Sequence, residues 1–206
     1  MNMIPKSLPP KILYHYCPSD SFYGLAESGN LWLSNSLYSN DPNENRISKN
    51  ILTDIANDSS KTEIKTFAKK VLDLKFELID NSAAFVFCMS EKEDDLNQWR
   101  IYGDNGYGYS LGFNTNYFVE NGYWNLFNNK IRFPTIDKIY LSECIYDYKT
   151  QKTIIATLID LVLKMKVTKE SDWIYQFKLF MQFYSSFFKH KSYYAEKHTM
   201  QKKNGG

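Results

Sequence analysis

The chain has no cysteine framework, no metal-ligand cluster, no dominant charge and no long apolar run, and each of these gaps removes a class of protein. Its 206 residues include only three cysteines, Cys17, Cys88 and Cys144. An odd number at such wide spacing fits neither a disulfide scaffold nor a zinc site, and a reducing cytoplasm suits it best. Of the three histidines, His190 and His198 flank Glu196 without the spacing of a metal pair, so no metal is expected. Basic and acidic residues number 25 and 23 and are mixed along the chain, giving a formal net charge of +2. No basic stripe emerges, which argues against nucleic acid as a partner. The most apolar stretch, Ile154 to Val167, is interrupted by Thr157, Asp160, Lys164 and Lys166 and falls short of a bilayer span, so no membrane partner is expected. The first residues lack the apolar core of a signal peptide. No nucleophile triad of standard spacing occurs. Gly103-x-x-Gly106-x-Gly108 has the glycines of a phosphate loop but follows a helix and precedes a strand, the reverse of the order that sets a helix dipole on phosphate.

What the chain does have is aromatic surface, sixteen tyrosines and fourteen phenylalanines. Most belong in a core; some could stack on a planar ligand. Its length and 43% apolar content suit a single domain, 1–206. Within it we expect a proline-rich leader (1–10), a sheet-containing core (11–148), a helical part (149–198) and a disordered polar tail (199–206). Strands are expected near residues 11, 31, 84, 107 and 138. The first, Lys11 to Tyr16, alternates so that Leu13 and His15 share one face and Tyr14 and Tyr16 the other. A helix follows, with Ser19 or Asp20 as its cap, Phe22, Leu25 and Ala26 as its buried stripe and Gly29 at its end. Helical spacing recurs over Ile47 to Ile55, Ile64 to Leu78, Ile154 to Val162 and Trp173 to Phe188. The fold class is therefore α+β: a mixed β-sheet with helices covering it and a C-terminal helical pair.

His15 is the leading candidate for chemistry, because an imidazole can offer both a donor and an acceptor to a sugar or amide; a structural histidine with both nitrogens satisfied is the alternative. Asn40 and Asp41, with Pro42, could give a ligand amide and carboxylate groups, or simply form a turn before the helix at Arg46. Trp99, Arg100 and Tyr102 could frame a planar ligand, although Trp99 and Tyr102 at i and i+3 also suit a helix meeting a core. Ser34 and Tyr38 border the same loop. Glu196 is the one late carboxylate to nominate.

Leu13-Tyr14-His15-Tyr16, Leu31-Trp32-Leu33-Ser34, Asn40-Asp41-Pro42, Phe87-Cys88-Met89-Ser90, Trp99-x-x-Tyr102 and Gly108-x-x-Leu111-Gly112-Phe113 occur in this order. Together they resemble the bacterial domain-of-unknown-function family two-nine-seven-one. Lys189 to Glu196 resembles the approach to that family's closing Glu-x-Glu-x-Arg motif. Here the chain departs from the pattern: Glu196 fits the first acidic position, but His198 and Met200 stand where the second acid and the arginine belong. The C-terminal motif is therefore expected to be altered or truncated, and an activity that needs it is expected to be lost. The N-terminal layout is in turn similar to ADP-ribosyltransferase-like domains. That resemblance implies an NAD-using transferase or NAD glycohydrolase, a toxin or phage-defence effector acting on a macromolecular acceptor. Under it His15 would be catalytic and hold the ribose of NAD, Tyr16, Tyr38 or Tyr102 would flank the nicotinamide, and Glu196 would steady the sugar cation. The rival expectation is a non-catalytic nucleotide-binding or protein-interaction module, or a degenerate fragment without a working site.

Overall fold

The computed structural model describes residues 10–35, 44–74, 85–120, 141–166 and 169–191. Most of their apolar surface is buried in a body of four helices. These are α2 (Glu44–Asp58), α3 (Thr62–Asp73), α6 (Tyr148–Leu163) and α7 (Glu170–Ser185). Each carries apolar residues at i, i+3, i+4 and i+7 or close to it, the spacing that aligns side chains on one helical face. In α3 these are Ile64, Phe67, Ala68 and Val71; in α7, Phe177, Phe180, Met181 and Tyr184. Ile51, Leu52 and Ile55 of α2 and Ile155, Leu158 and Ile159 of α6 complete the core. Phe67 meets Phe177 edge to face with ring centroids 5.4 Å apart. Each such side chain contributes about 1.5–3 kcal/mol by leaving water.

The ends of the C-terminal pair are clasped. Ile145 and Phe188 form an isolated parallel bridge. The buried Gln151 donates from one amide nitrogen to the carbonyls of Ile145 (2.6 Å) and Lys189 (3.0 Å). Asp147 starts α6 by accepting from the Thr150 amide at 2.7 Å. The strand expected across 138–148 is therefore only a single bridge where it can be described, because α6 already begins at Tyr148.

The rest of the described chain is a strand module. β1 (Ile12–Cys17) pairs antiparallel with β4 (Tyr109–Asn114), and β2 (Ser34–Asn35) with β3 (Phe85–Val86). Ser90, just beyond β3, exchanges two backbone hydrogen bonds with Tyr14, at 2.8 and 2.7 Å. Segment 85–90 thus links the two pairs, and β1 is engaged on both edges. The class is α+β, as the sequence indicates, but the paired strands are antiparallel where a mixed sheet was expected. The helices gather in a block of their own, and among the described residues no βαβ crossover sets two strands side by side in parallel.

Shorter helices flank the strands: α1 (Ser19–Ser28), α4 (Leu96–Ile101) and α5 (Thr115–Glu120). Neither Ser19 nor Asp20 caps α1. Pro18 holds the cap position and its carbonyl accepts from the Phe22 amide, while the Ser19 hydroxyl donates to the Tyr107 carbonyl. The stripe expected on α1 is only half covered, and no α1 residue is buried. Gly29 ends the helix at φ 64°, a left-handed conformation that suits glycine. α5, absent from the sequence reading, starts at Thr115, whose buried hydroxyl donates to the Pro10 carbonyl.

Candidate functional site

The β1–β4 register sorts the candidates onto two faces. Paired residues of neighbouring strands point the same way and successive residues alternate. Leu13, His15 and Cys17 therefore share a face with Phe113, Leu111 and Tyr109, while Tyr14 and Tyr16 share the other with Gly112 and Ser110.

On the first face, His15 is half-buried among apolar groups. Its ring stacks on Phe87, with centroids 4.1 Å apart and planes 25° apart, and Phe87 meets Phe113 edge to face. Leu13 and Cys17 are buried on either side. At the α1 end Tyr109 stacks on Phe22, centroids 4.2 Å apart, and stays partly exposed. The His15 Nδ1 lies 2.9 Å from the Cys88 carbonyl oxygen. A carbonyl only accepts, so Nδ1 carries the proton. Burial pulls the imidazole pKa below its ordinary 6.5, and the bond to Cys88 opposes this only in part. His15 is thus a neutral ring at pH 7, held by one nitrogen and one face.

The second face is closed by an acidic strap, residues 91–95. The Tyr16 hydroxyl donates to the Lys92 carbonyl at 2.8 Å and accepts from the Asp95 amide at 3.0 Å. Ser110 donates to the Glu93 carbonyl, and the Glu93 carboxylate beside Tyr14 helps burial to raise that phenol's pKa. Asp95, itself buried, caps α4 by accepting from the Asn97 amide at 2.9 Å and pairs with Lys92 at 2.6 Å. Burial pushes its carboxyl up, but Lys92 and the amides of Asn97 and Gln98 outweigh this and hold it below the usual range. Trp99 donates from Nε1 to Asp94 at 2.7 Å and meets Tyr16 edge to face. A Cβ on Gly103 would stand 2.5 Å from the Trp99 ring, and one on Gly108 only 2.2 Å from the Cys17 carbonyl oxygen, so both glycines let the strap and the strand end close.

Among the nominated residues that the structure describes, His15 alone lies on the aromatic face. Tyr16 and Trp99 are built into the framework, their polar atoms occupied by the strap. Arg100 and Tyr102 are exposed at the end of α4, and Ser34 is exposed on β2, in the other strand pair. Tyr38, Asn40, Asp41 and Glu196 lie outside the described residues. Sequence reasoning missed Phe87, Tyr109, Leu111 and the Cys88 carbonyl. Phe87, Cys88 and Leu111 stand in motifs quoted from the sequence, but what brings them and Tyr109 to His15 is the pairing of β1 with β4 and of Tyr14 with Ser90.

An open cleft of about 450 Å³ lies between the turn joining α2 to α3 and one side of α6. Its charges answer one another, Lys61 with Asp160 and Lys152 with Asp58, each at 3.5 Å. No helix among the described residues is long and apolar enough to cross a membrane, and no three metal-binding side chains gather there.

Fold and site together define a small α+β protein in which a histidine-bearing antiparallel strand pair accompanies a four-helix body. Residues 98–198 match the model of a family described as protein of unknown function (DUF2971), and the match supports that family for this chain. The match covers α4, β4, α5 and the C-terminal helices, whereas the motifs quoted from the sequence lie mostly before it. The two overlap from Trp99 to Phe113 and again at Lys189 to Glu196. No curated protein and no solved structure matches the chain.

Proposed function

We propose that the aromatic face of the β1–β4 pair binds a nucleotide and that the protein is an NAD-using transferase or glycohydrolase of the ADP-ribosyltransferase-like kind. One observation carries the reading: His15 is anchored at Nδ1 and against Phe87, yet half-open to solvent, between aromatic groups that suit a planar ring. In the reaction the C1′–N bond of NAD breaks and nicotinamide leaves with the bonding pair. The ribose carbon, cation-like at that moment, is taken by an oxygen of water or of a macromolecular acceptor, which gives up its proton. His15 fixes the sugar, and holding the reacting groups in place supplies much of the rate. Glu196 is the carboxylate assigned to steady the cation.

A second reading, nucleotide binding without turnover, has its own support. The carboxylates tied to β1, Glu93 and Asp95, sit on the face opposite His15. Incubation with NAD, with and without candidate acceptor macromolecules, separates the two. Nicotinamide release by the wild type, reduced about tenfold or more in His15→Ala, supports the enzyme. Saturable NAD binding without release supports the binding module, and neither release nor binding contradicts both.

A further inference from the structure

We propose that the outward face of α1, with the Trp32 indole set against it, is a docking surface for an arginine-bearing segment of a partner protein. This surface is separate from the aromatic face around His15 and stands whether or not that face binds a nucleotide. Asp20, Tyr23, Gly24 and Glu27 fall at i, i+3, i+4 and i+7 of α1, the spacing that lines residues up on one helical face. Phe22 points away from them and stacks on Tyr109, so α1 rests on β4 by its other side. Trp32 follows the helix end at Gly29 and folds back onto the outward face: a Cβ at Gly24 would stand 2.4 Å from its Cη2 and 2.9 Å from its Cζ2. The indole thus touches the helix by its outer tip. Trp32 is nevertheless 56% exposed and Tyr23 62%, with Asp20 and Glu27 exposed on either side along the helix.

The cost and the charge of this arrangement point to recognition. Glycine inside a helix weakens it, and what Gly24 admits is a ring that stays more than half in water, so little burial is gained in exchange. The tryptophan is held in position at the surface, where tryptophan and tyrosine are the residues that most often anchor a partner. Its surroundings in the chain are acidic: from Tyr16 to Asn45 there is no lysine, arginine or histidine, although the whole chain has 25 lysines and arginines. Two carboxylates therefore bracket the two exposed rings. An arginine answers both features, because its planar guanidinium stacks on an aromatic face and its fork of N–H donors pairs with a carboxylate. Nucleic acid or an anionic lipid surface would meet like charge here.

The test titrates the full chain with a capped peptide of three Gly-Arg-Ser repeats and, beside it, the same peptide with citrulline, which keeps the shape of arginine without its charge. Backbone and indole N–H resonances in NMR show where each peptide binds. Saturable shifts of the Trp32 indole and the α1 amides are expected with the arginine peptide, weakening as salt rises, and the citrulline peptide should bind about fivefold more weakly or less. Trp32→Ala should lower affinity about two- to fivefold, the worth of one exposed cation–π contact. Asp20→Asn combined with Glu27→Gln should lower it by a similar factor while leaving the rings in place. Gly24→Ala supplies the readout that a packing role would not: its Cβ displaces the indole, so affinity falls as in Trp32→Ala while thermal unfolding stays the same or rises, alanine being the better helix former. Equal binding of the citrulline peptide overturns the proposal, since charge then plays no part. So does an arginine peptide that gives no saturable shift or shifts only residues away from Trp32 and α1, and so does full affinity in Gly24→Ala. Trp32 shifts that follow protein concentration without any peptide would assign the face to a second copy of the chain and overturn it as well.

Discussion

The four-helix body and the strand module are held by different physics. The body relies on side chains that leave water altogether: Ile51, Leu52, Ile155, Leu158 and Phe177 are at or near zero exposure and pack without directional demands. The module has few such residues. It is fixed by named hydrogen bonds, those of Tyr16 to the strap, Asp95 to α4 and Ser90 to Tyr14, and by ring stacking around His15. Burial tolerates small shifts at modest cost, whereas a hydrogen-bonded ring is either in place or not. The module can therefore hold a recognition group to a fixed position while the body supplies most of the stability.

The comparison breaks most visibly in the core of the body. Leu158→Ala is expected to cost about 2–5 kcal/mol, through lost transfer energy and a residual cavity, read from the midpoint of urea unfolding. A cost near zero would mean that α6 does not carry the core. Next comes the strand end. Gly108→Ala sets a Cβ against the Cys17 carbonyl, where backbone must move, and about 1–3 kcal/mol of overpacking is expected. Its distinctive sign is loss of amide protection in β1 and β4 ahead of the helices, measured by hydrogen exchange.

Asp95→Ala is expected to cost about 0.5–2 kcal/mol, the range for loss of a helix cap. Because the Asp95 carboxyl is held below its ordinary 3.8, its contribution is present above pH 3.8 and is lost as pH falls through the lower folded value. Acid unfolding of the variant should therefore show a weaker pH dependence below pH 3.8 than that of the wild type. The smallest effect belongs to Tyr148 on the body. Burial and the Asp54 carboxylate, which accepts from its hydroxyl at 2.6 Å, push its pKa up to about 12 from 10.0. The folded state thus retains the proton, so its contribution is whole below pH 10 and is lost as pH rises toward 12. Tyr148→Phe should flatten stability over that alkaline window, and an unchanged slope would show that the Asp54 bond does not persist in solution.

The body was legible in the sequence because its signal is local. Ile64, Phe67, Ala68 and Val71 announce a buried face within eight residues, and Phe177 to Tyr184 do the same. Gly29 marked a helix end for the same reason. The strand module was half legible. Period-two alternation placed His15 and Tyr16 on opposite faces of β1 from the outset, and the register bears that out, while the resemblance offered Tyr16 as one of three tyrosines beside the nicotinamide. What the sequence could not show is register. Tyr14 lies opposite Gly112 and His15 opposite Leu111 across a long separation in the chain, and nothing local encodes that pairing. The same holds for Cys88, which anchors His15 through its backbone and so leaves no trace in side-chain chemistry.

The most direct test of this division of labour is hydrogen–deuterium exchange with and without saturating NAD. Slower exchange is expected in Ile12–Cys17, Tyr109–Asn114 and residues 87–90, with α2, α3, α6 and α7 unchanged. Slowing confined to the α2–α3 turn and the cleft side of α6, with β1 unaffected, would contradict it.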